Sequence, residues 1–231
     1  MEKIYEMLQL QNELNNDTNG VDWRKGVTKN SKPINWKRCI YMETAELIDS
    51  FGWKHWKSIH QKPDYENIKI ELTDIWHFIM SYLLTQNSLE DAARLINGAK
   101  EAQCDIKIPK EWSEKDSQNI DEYLDIFEEL MALALIKSNS PALQEELLET
   151  FFKACDSAGF SFDDLYRLYI GKNALNQFRQ EHGYKEGKYI KNWNGKEDNT
   201  VLQEILEKNG DISFGELKDR LLKEYEKVAQ L

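Results

Sequence analysis

The stretch YENIKIELTDIWHFIMSYLLTQ, residues 65–86, sets the fold class. Ile68, Leu72, Ile75, Ile79 and Leu83 recur every three or four residues, the spacing of one helix face. Glu71, Asp74 and His77 stand three apart beside that face, and the apolar residues can bury the rest of the helix. The same periodicity predicts helices over 1–16, 35–51, 89–103, 114–138, 141–157, 161–182, 199–208 and 214–230. Only four prolines and eleven glycines occur in 231 residues, so long helical segments run uninterrupted. Ser113 with Asp116, Ser161 with Asp164 and Ser213 with Glu216 resemble capping boxes, and Ser140-Pro141 places proline in a first turn. No alternating run of β-branched residues stands out. The expected class is all-α, a multi-helix bundle. No repeat, low-complexity tract or linker divides the chain, so residues 1–231 are expected to form a single domain.

Charge and cysteine usage narrow the function. The net charge of −11 argues against binding a nucleic-acid backbone, which requires a basic surface, but leaves room for a small anion held by cations or a local basic patch. No apolar run approaches the roughly 18 residues that cross a bilayer, and the acidic start Met1-Glu-Lys-Ile-Tyr-Glu lacks signal-peptide character. Cys39, Cys104 and Cys155 are odd in number and far apart, which excludes a disulfide framework or thiolate zinc site and suits a reducing compartment. A cytoplasmic protein, without membrane or nucleic-acid partners, is expected.

The segment RCIYMETAELIDS, residues 38–50, places Glu43 and Glu46 three apart, about 60° apart around a helix and hence on one face. Glu71 and Asp74 repeat the arrangement. With 41 acids in the chain, about seven such pairs arise by chance, so the spacing alone says little. Context separates these two, because both lie in helices rich in apolar and aromatic residues. Like charges drawn together in such surroundings need compensation, and a divalent cation supplies it. Oxygen ligands without thiolates suit Mg²⁺, with Mn²⁺ as a substitute, better than zinc. A di-iron carboxylate bundle is the rival, but it needs paired Glu-x-x-His motifs. None of His55, His60, His77 and His182 lies three residues after a glutamate.

Residues 17–34, 52–64 and 183–198 read as loops. Between Lys172 and Lys196 stand six basic residues and two acids, a local excess of four positive charges in an acidic chain. Gly183, Gly187 and Gly195 allow close backbone approach, which suits phosphate recognition, although no P-loop motif occurs. Lys172, Asn176 and Arg179 face one way on a helix. The aromatics Trp53, Trp56, Tyr184, Tyr189 and Trp193, with the amides of Gln11 and Asn19, could supply a stacking surface and edge hydrogen bonds for a nucleobase.

Four blocks in order, LQLQNELNNDTNG (8–20), INWKRCIYMETAELIDSFGWKHW (34–56), IELTDIWHFI (70–79) and YIGKNALNQFRQEHGYKEGKYIKNWNGKEDN (169–199), resemble the dimeric dUTPase family. That family is a branch of the all-α nucleotide pyrophosphohydrolases that also includes the MazG-type enzymes. The core motifs fall in 8–79 and 169–199, leaving 86–160 as helical scaffold. The resemblance implies a homodimer that hydrolyses dUTP, and dUDP, to dUMP with release of pyrophosphate or phosphate. It implies attack at the β-phosphorus and Mg²⁺ bound by Glu43, Glu46, Glu71 and Asp74. Glu46 is expected to activate the attacking water, with Glu43 as the alternative. Gln11 and Asn19, and less firmly Trp53, match uracil-edge positions, while His77 and Asn176 match positions near the deoxyribose. Lys172, Arg179, Tyr184, Lys191 and Asn199, with Lys188 as a further candidate, match the phosphate-contacting segment. The alternative is a nucleotide pyrophosphohydrolase of other or broader base specificity.

Overall fold

A computed structural model describes residues 1–57, 61–210 and 212–229. Among them, ten α-helices, one short 3-10 helix (Trp23–Lys25) and one two-residue-per-strand hairpin make up the regular structure. In chain order the helices are α1 (Glu2–Asn19), α2 (Trp36–Asp49), α3 (Tyr65–Gln86), α4 (Leu89–Ala99), α5 (Glu114–Gln118), α6 (Ile120–Leu135), α7 (Pro141–Ser157), α8 (Phe162–Glu181), α9 (Asp198–Asn209) and α10 (Phe214–Ala229). The hairpin strands β1 (Asn192–Trp193) and β2 (Lys196–Glu197) precede α9 and pair antiparallel.

Helix α3 is the axis of the bundle and packs against α1, α2, α4, α7 and α8. Its 22 residues give a rod about 33 Å long. Leu72, Ile75, Trp76, Ile79, Met80 and Leu83 are wholly buried, and Trp76 stacks on Phe151 of α7 with ring centres 5.2 Å apart. A second apolar cluster forms where Ala174, Leu175 and Phe178 of α8 meet Trp193, Val201, Leu202, Leu217, Leu221 and Tyr225. Helix α8 thus serves both clusters: Leu165 and Tyr169 point into the first, and its C-terminal half builds the second. At the changeover Gly171 faces α9, where a Cβ would lie 2.8 Å from a Leu206 methyl. A side chain here would require the Leu206 methyl to shift.

The cap signals act as the sequence implies. Ser113 and Asp116 form a complete capping box, the Ser161 and Ser213 hydroxyls accept from the amides of Asp164 and Glu216, and Pro141 opens α7. Several boundaries differ from expectation. The helix predicted over 114–138 is two, broken at Asn119, whose φ of −107° and ψ of 25° leave the helical region. Helix α1 continues past residue 16 to Asn19 because the Trp23 indole donates to Asn16 and Gly20, at φ +92°, ends the helix instead. Helix α4 stops at Ala99, short of 103. Within the loop expected over 183–198 the structure has a hairpin, in which Asn194 and Gly195, both at positive φ, form the two-residue turn. In the loop expected over 52–64, residues 58–60, His60 among them, lie outside the described residues, as does Gln230 at the end of the last predicted helix.

Candidate active site

The acidic site grows from the pairing of α2 with α3. On α2 the buried line is Ile40, Thr44 and Leu47. Glu43 stands one turn from Ile40 and Leu47 and is half-buried, while Glu46 lies further round and is exposed. On α3 Glu71 is drawn in with Ile68 and Ile75 and is 8% exposed. One carboxylate oxygen from each of Glu43, Glu46 and Glu71 lies within 4.8 Å of the others. Burial, then Asp74 and the other glutamates, pushes the Glu43 carboxyl up to about 8. The same causes push Glu71 up to about 7, partly offset by Lys172. Two acids held toward neutrality by their surroundings and by each other are a site short of positive charge. The oxygen-only donor set fits a hard divalent cation and not a thiophilic one.

Asp74, the fourth expected member, turns to α8. The Lys172 ammonium, 2% exposed, bonds its carboxylate at 2.8 Å and the Asn199 side-chain oxygen at 3.0 Å. Arg179 makes a two-pronged contact with Asp198, both bonds at 2.8 Å, and also donates to Asn176 at 3.1 Å. Asp198 is fully buried and receives the Tyr189 hydroxyl at 2.7 Å. Burial works against the Arg179 charge, but Asp198 overcomes it and holds the guanidinium above its ordinary range. Lys172, Asn176, Arg179 and Asn199 are therefore brought together as expected. Tyr184 lies partly exposed, its ring 5.9 Å from the Arg179 guanidinium. Lys188 and Lys191 are exposed, and Lys191 is 3.6 Å from Glu197. Lys185 reaches the Thr18 carbonyl, tying this basic loop to the end of α1 beside Asn19.

On the other side of α3 the amide of Gln11 is buried against His77 and Ser81. Asn19, partly exposed at the last position of α1, accepts the Lys29 amide through its carbonyl. Trp53 sits beyond the end of α2, its indole donating to Asp49 at 3.1 Å and its ring 5.6 Å from Trp56.

With this geometry in hand, a family model described as dUTPase matches residues 3–184. The chain belongs to the dUTPase family. This is the all-α dimeric dUTPase family, and its activity is dUTP diphosphatase, a metal-dependent nucleotide hydrolysis. No curated protein matches the chain. The dUTPase match runs from the second residue of α1 through α8, hence over Glu43, Glu46, Glu71 and Asp74, and stops before the hairpin, Asp198 with the rest of α9, and α10. No helix among the described residues is long and apolar enough to cross a membrane.

Sequence reasoning missed Asp198, Asn15, Ser81, Tyr169 and Asn173. The first had a usable signal, since a buried arginine requires a carboxylate and Asp198 lies close after the basic run. The others are polar residues inside apolar helix faces, and only coordinates show that they share partners.

Proposed function

We propose that this enzyme hydrolyses dUTP, and dUDP, to dUMP, releasing pyrophosphate or phosphate by attack of water at the β-phosphorus. The convergence of Glu43, Glu46 and Glu71, with Asp74 one turn along α3, supports the reading. These four are the proposed ligands of Mg²⁺, with Mn²⁺ able to substitute. When bound, such a cation polarises phosphoryl oxygens and makes water easier to deprotonate. Glu46, the exposed member, orients the attacking water and accepts its proton, with Glu43 as the alternative base. Lys172 and Arg179 stabilise charge on the polyphosphate as the bond to the leaving dUMP breaks, with Asn199, Tyr184, Lys188 and Lys191 as further phosphate contacts. Gln11, Asn19 and Trp53 belong to the uracil side, and His77 and Asn176 to the deoxyribose.

The chain is proposed to act as a single domain, cytoplasmic and as a homodimer. Met42, Leu135 and Ile136, exposed large apolar residues on or next to the paired helices α2 and α6, support the last point. The deciding experiment is steady-state hydrolysis across a panel of nucleoside di- and triphosphates, with Mg²⁺ and with EDTA. Release from dUTP and dUDP that EDTA abolishes is expected. Comparable release from dCTP or dTTP would replace this reading with a broader nucleotide pyrophosphohydrolase.

A further inference from the structure

A closed circuit of hydrogen bonds surrounds His77. The Ser81 hydroxyl has three neighbours: the His77 carbonyl at 2.8 Å, the Gln11 side-chain nitrogen at 3.0 Å and the Asn15 side-chain nitrogen at 2.9 Å. A carbonyl only accepts, so the single Ser81 proton goes to it, and the serine oxygen has only lone pairs left for the other two. Both amides must therefore present their NH₂ groups to Ser81. This fixes the Gln11 amide the other way round from His77, with its oxygen 2.7 Å from Nδ1. The Tyr169 hydroxyl, which donates to the Met7 carbonyl at 2.9 Å and receives Asn173 at 3.1 Å, lies 3.2 Å from the same oxygen. An oxygen facing Nδ1 demands a proton on Nδ1, and the circuit closes on the residue where it began. Ser81 and Asn173 are fully buried, and Gln11, Asn15 and His77 are each under 5% exposed, so water does not compete.

The other ring nitrogen, Nε2, is buried and without a partner among the described residues. His77 lies one turn along α3 from Asp74, whose carboxylate bonds Lys172, which places the ring beside the site described above. We propose that Ser81 is a positioning residue: through Gln11 it holds His77 with the proton on Nδ1, so that Nε2 offers a lone pair to a hydroxyl donor on the nucleotide sugar. The inference rests on the proposed function for the identity of that donor, but not for the circuit. A deoxyuridine nucleotide carries one sugar hydroxyl, at the 3′ position, and a histidine in the opposite tautomer would meet it with a second donor. Gln11, with oxygen and nitrogen both engaged, then serves the site through His77 in addition to any contact of its own.

The test is the ¹⁵N-resolved imidazole spectrum of the metal-free, nucleotide-free protein, with the His77 signals assigned by their loss in His77→Gln. The wild type is expected to show Nδ1 protonated and Nε2 bare. Ser81→Ala frees the Gln11 amide to turn, and the His77 pattern should shift toward a mixture, while Ser81→Thr restores it. If Ser81→Ala does not fold, Ser81→Cys, close in volume and a weaker hydrogen-bonding group, takes its place. In kinetics the variant should raise KM for dUTP by up to about tenfold, the loss of one neutral hydrogen bond, with kcat little changed. The penalty for a 3′-deoxy substrate should shrink in parallel. A wild-type spectrum with the proton on Nε2, or an Ser81→Ala spectrum identical to wild type, overturns the proposal. Correct tautomer without dUTP turnover would instead sink the proposed function and leave the circuit standing.

Discussion

The two charged regions of this molecule are held in opposite ways. On the α2–α3 side, Glu43, Glu46 and Glu71 stand together, with no ion pair to any of the three among the described residues, and two of them are pushed toward their neutral form. On the α8–α9 side, Lys172 and Arg179 are nearly buried, yet each is matched: Lys172 by Asp74 and Asn199, Arg179 by Asp198 and Asn176. An unmatched cluster of like charge calls for something from outside, whereas a matched one is already positioned and must exchange partners to act. Asp74 belongs to both regions. Lys172 holds only the Oδ2 atom of Asp74, so the two halves of the site meet at one carboxylate.

The sharpest way to break this contrast is on the acidic side. Glu46→Gln keeps the volume and removes the proton acceptor, and turnover of dUTP should fall by about 10²–10⁴-fold. Its thermal unfolding should stay close to wild type, because Glu46 is exposed. A variant with near-normal turnover would reassign the base to Glu43. The basic side should respond mainly in stability. Asp198→Ala strands the Arg179 guanidinium, 12% exposed, without its carboxylate, and denaturant unfolding should show a loss of about 3–5 kcal/mol. A loss under about 1 kcal/mol would mean that the pair is no more than a surface contact.

Stability against pH sharpens the comparison further. Glu43 and Glu71 have folded pKa values above the unfolded 4.5, so between there and about 8 the native state binds more protons than the unfolded chain. Their contribution therefore falls as pH rises through that window. His77, pushed down to about 3 by burial, acts oppositely below its ordinary 6.5, because the unfolded chain takes the proton first. From pH 6.5 to 8 only the glutamates act among these three, and the metal-free protein should lose stability there. Magnesium at about 100 times its Kd should restore about 2.7 kcal/mol, since it binds only the folded, ionised site. Thermal scans with and without EDTA across that range check both signs.

Much of the fold was legible because it depends on periodicity. The repeat in 65–86 and the cap residues Ser140 and Ser161 produce elements that match the structure to within a residue or two, while Ser113 marks only where α5 begins. The break at Asn119 was not legible, since nothing in DSQNIDE forbids a continuous helix. At the site, the carboxylates on α2 and α3 were readable because both residues of each pair share one helix, where spacing fixes direction. Asp198 was readable only as a nearby carboxylate that a buried arginine would need, and Ser81 was not readable. Each matters through a partner on another element, Arg179 on α8 in one case and Gln11 on α1 in the other, and spacing along the chain carries no information about that approach.

The measurement closest to the central claim is uptake of Mn²⁺ by the metal-free enzyme, read from the loss of the free-ion electron paramagnetic resonance signal. The wild type should bind Mn²⁺ in competition with Mg²⁺, and the double variant Glu43→Gln/Glu71→Gln should lose that binding while remaining folded. Equal uptake by wild type and double variant would contradict the account, because the acids gathered between α2 and α3 would then not be what holds the cation.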